Sequence, residues 1–372
     1  KGNILTRLAN SESKAAQYMT TTLDADLQIQ AQRSMQGIKG AVVVMERDSG
    51  RILAMVSSPG FDSNMFETSN YNSSTELNSS LNDSDRRLLN RATQGAYPLG
   101  SIFKIVTMAA ALESGFYKPT TIYDCGYRFT ELPGVVLYDW TYQYKRSPSG
   151  RIDLVDGLAR SCNPYFWHIG LDLFQQGHTK DVVNFARGFG LGSPTGIRGV
   201  DENSGQLEEP QNYGDAVQMA IGQGSMLVTP LQAAVMIAAV GNGGALYRPI
   251  LVDKFTSADD ITLESTYPEV TGRLPIKPDT LKVIQKAMRL VVTDEKGTAM
   301  AAMAGIQVPV YGKTGTAENP VGDAHSWFGG YTDDAKESGK PDIAVVVLAE
   351  NGGEGSLVAA PIFRRIIEIY YD

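Results

Sequence analysis

The chain reads as an α/β protein in which an antiparallel sheet is built from strands at both ends of the sequence and flanked by helices. A mainly helical subdomain lies between those ends, and the candidate site falls between sheet and subdomain. Three observations lead there. Two β-rich runs, 40–46 and 51–57, are joined by Arg47-Asp-Ser-Gly50, a hairpin signal near the start. Three more strand-like runs, 308–316, 326–331 and 343–350, gather near the end. Almost everything between them has helical periodicity broken by glycine-rich turns.

Taken in order, residues 1–20 are polar and patternless and read as a linker or the stump of a preceding domain, with the main domain over 21–372. Asp24 can cap a helix reaching about Met35, with Leu27, Ala31 and Met35 on one face. The Asn- and Ser-rich stretch 67–85 predicts a surface loop. From Ser101 a run of Ala, Ile, Val, Met and Leu predicts a helix buried nearly all round, broken off upstream by Pro98 and Gly100. Segment 117–151 reads as irregular, with Tyr138, Trp140, Tyr142 and Tyr144 expected to pack it down, the alternative being that some of them line a substrate cleft. A short helix over 153–160 leads into Ser161-Cys-Asn-Pro164, and a further helix runs to about Phe174. Helices are expected over 230–240 and 280–292, and a closing helix should bury Val358, Ile362 and Ile366.

Composition excludes several functions. The 372 residues are 42% apolar, enough for a large core, and a net charge of −8 without basic clusters argues against nucleic acid. Two cysteines, Cys125 and Cys162, are too few for a disulfide scaffold and are expected to be free. The three histidines, His168, His178 and His325, show no metal spacing, so no metal site is expected. The turns 188–192, 222–224 and 241–244 complete no dinucleotide or phosphate-loop pattern, so they read as packing turns and no cofactor is expected. No run approaches the roughly 18 to 20 apolar residues that span a bilayer.

Three short patterns carry chemistry: Ser101-x-x-Lys104, Ser161-x-Asn163 and Lys313-Thr314-Gly315 followed by Thr316. Each is weak alone, since Ser11-Glu-Ser-Lys14 and Ser80-Leu-Asn82 fit the first two by chance. The decoys lie in polar stretches, whereas the favoured three sit at a buried helix start, a helix-helix turn and a core strand. Together they resemble the signature of the penicillin-recognising serine acyltransferases, which include penicillin-binding proteins and serine β-lactamases. With 89–95 before the serine, Gly222-Gln-Gly224, 228–232, 312–318 and Trp327-Phe328, the resemblance is to the transpeptidase domain of a class B penicillin-binding protein.

That resemblance implies a role for each residue. Ser101 would be the nucleophile and Lys104 its base, which needs burial and a neighbouring cation such as Lys313 to lower the amine's proton affinity. Ser161 would relay the proton, and Asn163 would hold substrate and Lys104. Lys313, Thr314, Gly315 and Thr316 would bind the donor peptide and its carboxylate along a strand edge. The backbone donors of Ser101 and Thr316 would form the oxyanion hole. The implied activity is peptidoglycan D,D-transpeptidation on stem peptides, with β-lactams as mimics. An N-terminal pedestal and membrane anchor upstream, an extracytoplasmic location and a membrane glycosyltransferase partner are implied as well. The alternatives are a D,D-carboxypeptidase, a β-lactamase, for which Glu208 and Glu209 are unselected base candidates, or a non-catalytic β-lactam sensor.

Overall fold

The structure, a computed structural model, describes residues 17–67 and 69–372. Its main sheet is antiparallel, with five strands in the order Val310–Ala317, His325–Thr332, Ile343–Ala349, Gly40–Glu46 and Ile52–Ser58. The two chain ends therefore share one sheet, as the sequence predicts. Strand Gly40–Glu46 pairs Val42 with Val347 and Val43 with Val346. It is apolar almost throughout because both sheet faces are covered. Alternate residues enter different cores. Val42 and Val44 pack with Leu27 and Ala31 of helix Ala25–Ser34 and with Ile362, Phe363 and Ile366 of helix Ala359–Tyr371. Ala41, Val43 and Met45 face the larger core shared with the helical subdomain.

Local signals explain the helix ends. Asp24 accepts the Leu27 N–H at 3.0 Å, and Thr229 and Gln232 form a reciprocal capping box before the wholly buried helix Pro230–Gly241. Ser101 lies one step before its helix: Gly100–Phe103 is a 3₁₀ turn, and Lys104–Ser114 is the α-helix, closed by Gly115 at φ 80°. Two glycines seat that turn. Gly100 donates its N–H to Gly222 O at 2.9 Å, and a Cβ on Gly222 would collide with Gly100 O. The packing role expected for turn 222–224 is thus exerted directly beneath Ser101.

Three expectations are corrected. Stretch 67–85 contains a helix, Ser73–Leu81, because Ser80 is buried against Met65 and tertiary contact overrides the poor propensity of Ser and Asn. Segment 117–151 holds short paired strands, Tyr123–Cys125 with Gly150–Ile152 and Arg128–Phe129 with Leu137–Tyr138. Cys125 and Cys162 are bonded as a disulfide, with Cα atoms 6.4 Å apart across 37 residues. A cysteine count carries no information about such a return of the chain. Here Tyr123 stacks on Tyr165 at 4.9 Å and Tyr165 donates to Thr121 O at 2.6 Å, which brings the two sulfurs together. At the other end, Gln17–Thr21 pairs with Val252–Ser257 in a separate sheet. Residues 1–16, including the Ser11–Lys14 decoy, lie outside the described residues.

Reduction of the disulfide is expected to lower stability by about 2–4 kcal/mol, read as a fall in melting temperature with dithiothreitol that Cys125→Ser/Cys162→Ser reproduces and that reductant then leaves unchanged. Gly222→Ala, at φ 75° and facing a carbonyl, is expected to cost at least about 2 kcal/mol. Gly243→Ala, at φ 88° with open space around it, is expected to cost only about 1 kcal/mol. Urea unfolding of the two variants side by side checks the difference.

Candidate active site

Three chain segments meet at the junction of the sheet and the helical subdomain. The first is the Gly100–Phe103 turn with Lys104. The second is the connection between helices Leu154–Ala159 and Asn163–Gln175, where Ser161 has φ 56° and Cys162 occupies the N-cap. A left-handed serine is unfavourable in isolation, so tertiary contacts must hold this turn. The disulfide supplies one, and the Cys162 N–H donates to Gly157 O at 3.0 Å. The third is strand Val310–Ala317, at the edge of the sheet with a neighbour on one side only. It pairs Lys313 with Gly329 and Gly315 with Trp327.

These segments enclose a cleft of about 390 Å³. Ser101, Ser161, Asn163, Thr314 and Thr316 line it. Lys104, Lys313 and Gly315 are buried behind its wall. Lys104 is wholly enclosed, and its Nζ donates to Ser161 O at 2.7 Å, Ser161 Oγ at 3.2 Å and Asn163 Oδ1 at 2.6 Å. All three ammonium donors are thereby used, and the Phe166 ring lies 5.4 Å from Nζ. Burial nonetheless outweighs these contacts and lowers the Lys104 pKa to about 7, while Asp139 opposes the fall. Lys313 is equally buried and donates to Thr314 O at 3.1 Å. Its pKa falls well below the usual lysine value through burial, reinforced by the charge of Lys104. Two enclosed amines near each other favour a state in which they share less than two charges, so a neutral amine is available near neutral pH.

Other cleft residues were not singled out by their sequence context. Thr298 bonds the Thr314 hydroxyl at 2.7 Å, Gln223 lines the floor, and Glu354 faces Arg146 at 3.7 Å. Thr298 and Glu354 belong to no short pattern, and Gln223 lies in Gly222-Gln-Gly224, a stretch read as a packing turn without a site role. Tyr138, Trp140 and Tyr144 form part of the cleft wall, the second of the two readings of their segment. They flank Asp139, which is itself fully buried. Stretch 89–95 has a structural role: Arg91, only 2% exposed, binds Glu350 at 2.8 Å, and Tyr97 donates to the same carboxylate at 2.7 Å. This ties the approach to Ser101 to the end of a central strand.

A buried lysine poised near neutrality, bonded to the Ser161 hydroxyl and one turn on from the cleft-lining Ser101, can with an open strand edge activate a hydroxyl for attack on a peptide-like carbonyl. Comparisons with known proteins agree with that chemistry. The family model of the penicillin-binding protein transpeptidase domain matches residues 40–368. The peptidoglycan D,D-transpeptidase MrdA of Haemophilus influenzae is 30% identical over 400 residues, covering 100% of this chain and 59% of that protein. The chain thus spans less than two thirds of that relative. Penicillin-binding protein A of Mycobacterium tuberculosis, solved as a penicillin G acyl-enzyme complex, superposes with a TM-score of 0.82 at 29% identity, over 95% of this chain and 80% of that one. A chain of a peptidoglycan synthase complex that structurally coordinates polymerization and crosslinking superposes with a TM-score of 0.81 at 32% identity, over 95% and 63% of the two chains. With the motifs, fold and family model in agreement, the chain belongs to the penicillin-binding protein transpeptidase family, in its class B branch.

Proposed function

We infer that the chain is the catalytic domain of a peptidoglycan D,D-transpeptidase. The observation that carries this reading is the wholly buried Lys104, held by Ser161 and Asn163 in the cleft that Ser101 lines. Neutral Lys104 takes the Ser101 proton as Oγ attacks the carbonyl of the penultimate D-alanine of a stem peptide. The backbone N–H groups of Ser101 and Thr316 receive the oxyanion. Collapse of the tetrahedral intermediate breaks the peptide bond, and the proton passes through Ser161 to the departing D-alanine amine. An amine of a second stem peptide then attacks the ester, gives up its proton by the same relay and restores Ser101. Asn163 orients substrate and base. Thr314 and Thr316, with Gly315 allowing close approach of the strand and Lys313 giving positive potential behind it, receive the donor carboxylate. A β-lactam enters as a mimic of the donor and leaves a slowly hydrolysed ester.

Residues 1–20 are read as a linker or the remnant of a pedestal and 21–372 as the transpeptidase domain. No helix among the described residues is long and apolar enough to cross a membrane. The membrane anchor is assigned to sequence upstream, and the domain to the outer face of the bacterial cell membrane beside a glycosyltransferase of the cell-wall synthesis complex. Similarity to a chain of a synthase complex supports that partner.

Labelled penicillin is expected to form a stable adduct that peptide mapping places on Ser101, and Ser101→Ala is expected to abolish it. Rapid turnover to penicilloate would instead indicate a β-lactamase. Lys104→Arg is expected to remove acylation, by about 10² to 10⁴ in rate, with circular dichroism unchanged. Because the neutral amine is the reactive form and its pKa lies at about 7, the acylation rate should rise through pH 7 to a plateau. A rate independent of pH from 5 to 9 would refute Lys104 as the base. Cross-linking of lipid-linked substrate with the glycosyltransferase present tests the full activity.

A further inference from the structure

The turn that carries Ser161 and Asn163 rests on a carboxylate belonging to none of the three motifs. Asp139 is fully buried. Its Oδ1 accepts the backbone N–H of Asn163 at 3.0 Å, and its Oδ2 accepts the Thr141 hydroxyl at 2.5 Å and the Thr141 N–H at 3.3 Å. It is also the N-cap of the short helix Trp140–Gln143. One side chain therefore links the cleft wall formed by Tyr138, Trp140 and Tyr144 to the turn that grips Lys104. A buried carboxylate without a bonded cationic partner is costly, so its retention calls for a compensating interaction. Ser161, Asn163 and Phe166 enclose the Lys104 ammonium, Asp139 is joined to it through Asn163, and the other charge acting there is Lys313 from the edge strand. Asp139 is the negative member of that set.

We propose that Asp139 is a positioning residue for the general base, holding Asn163 through the main chain and supplying the counter-charge to the Lys104 ammonium. This rests on the transpeptidase reading, since it presumes that Lys104 acts as the base. Two effects follow. Fixing the Asn163 N–H orients the Oδ1 that grips Lys104. The negative charge, in turn, offsets part of the cost of enclosing two amines, so Lys104 remains basic enough to accept a proton from a hydroxyl. Without Asp139, Lys104 would be neutral over a wider pH range but a weaker base.

The test is the pH profile of penicillin acylation, measured by stopped flow on the whole chain and two variants. Asp139→Asn is nearly isosteric and can still accept the Asn163 N–H, but it lacks the charge. It is expected to move the acid limb of the profile down by about one pH unit and to lower the plateau rate. Thr141→Val retains the charge but removes a hydrogen bond that disperses it, so the limb should move slightly up. A merely structural role lowers the plateau and leaves the limb in place. An unmoved limb in both folded variants, or in Thr141→Val alone if Asp139→Asn does not fold, overturns the proposal. Failure of the parent chain to be acylated on Ser101 would overturn the transpeptidase reading itself, and the two failures are therefore distinct.

Discussion

Everything around the cleft depends on enclosing the amine of Lys104. An exposed lysine near pKa 10.5 is almost wholly protonated at neutral pH and useless as a base, and the fall to about 7 corresponds to roughly 5 kcal/mol in favour of the neutral form. Such a preference requires complete removal of water. The apolar helix Lys104–Ser114 and the Phe166 ring serve that end. The proposed mechanism also requires the ammonium form to be tolerated, because it arises each time Lys104 takes a proton. The Ser161 and Asn163 acceptors stabilise it without returning it to solvent.

That enclosure explains the architecture. The three sides come from a helix start, a helix-helix turn and a sheet edge, and no local segment could supply them all. Each needs its own restraint. Gly100 and Gly222 bring two backbones into contact under the serine, the disulfide and Asp139 hold the left-handed turn, and the central strands support the Lys313 strand from one side. Precision of the order needed for a proton relay is then a property of packed elements and not of flexible side chains.

Much of this was legible in the chain. Strand runs at 40–46 and 343–350 stood out because both of their faces are buried, and Asp24 and Pro230 marked helix starts through ordinary capping chemistry. The three motifs were legible because their residue types and context match one family's chemistry. What escaped was whatever depends on distant parts of the chain meeting. The Cys125–Cys162 bond, the burial of Asp139 and the Thr298–Thr314 pair each involve at least one residue, Cys125, Asp139 or Thr298, that is unremarkable in its own neighbourhood. The helix at Ser73–Leu81 was hidden for the opposite reason, since Ser and Asn favour turns unless a contact such as Ser80 with Met65 decides otherwise.

The sheet drawn from both chain ends has a kinetic meaning. Arg47 bonds the carbonyl of Thr332 across 285 residues, and Gly40–Glu46 finds its central neighbour only in Ile343–Ala349. Such pairings are slow because a long loop must close before any contact repays its loss of entropy. Until that closure the early hairpin of Gly40–Glu46 and Ile52–Ser58 lacks the strand that covers its other edge. The edge that presents Lys313 likewise lies far along the chain from those early strands. A chain stopped short of residue 343 would therefore keep the Lys313 strand paired with His325–Thr332 yet lack the strand that joins this hairpin to Gly40–Glu46, so nothing would hold the edge against Ser101 and the Ser161 turn.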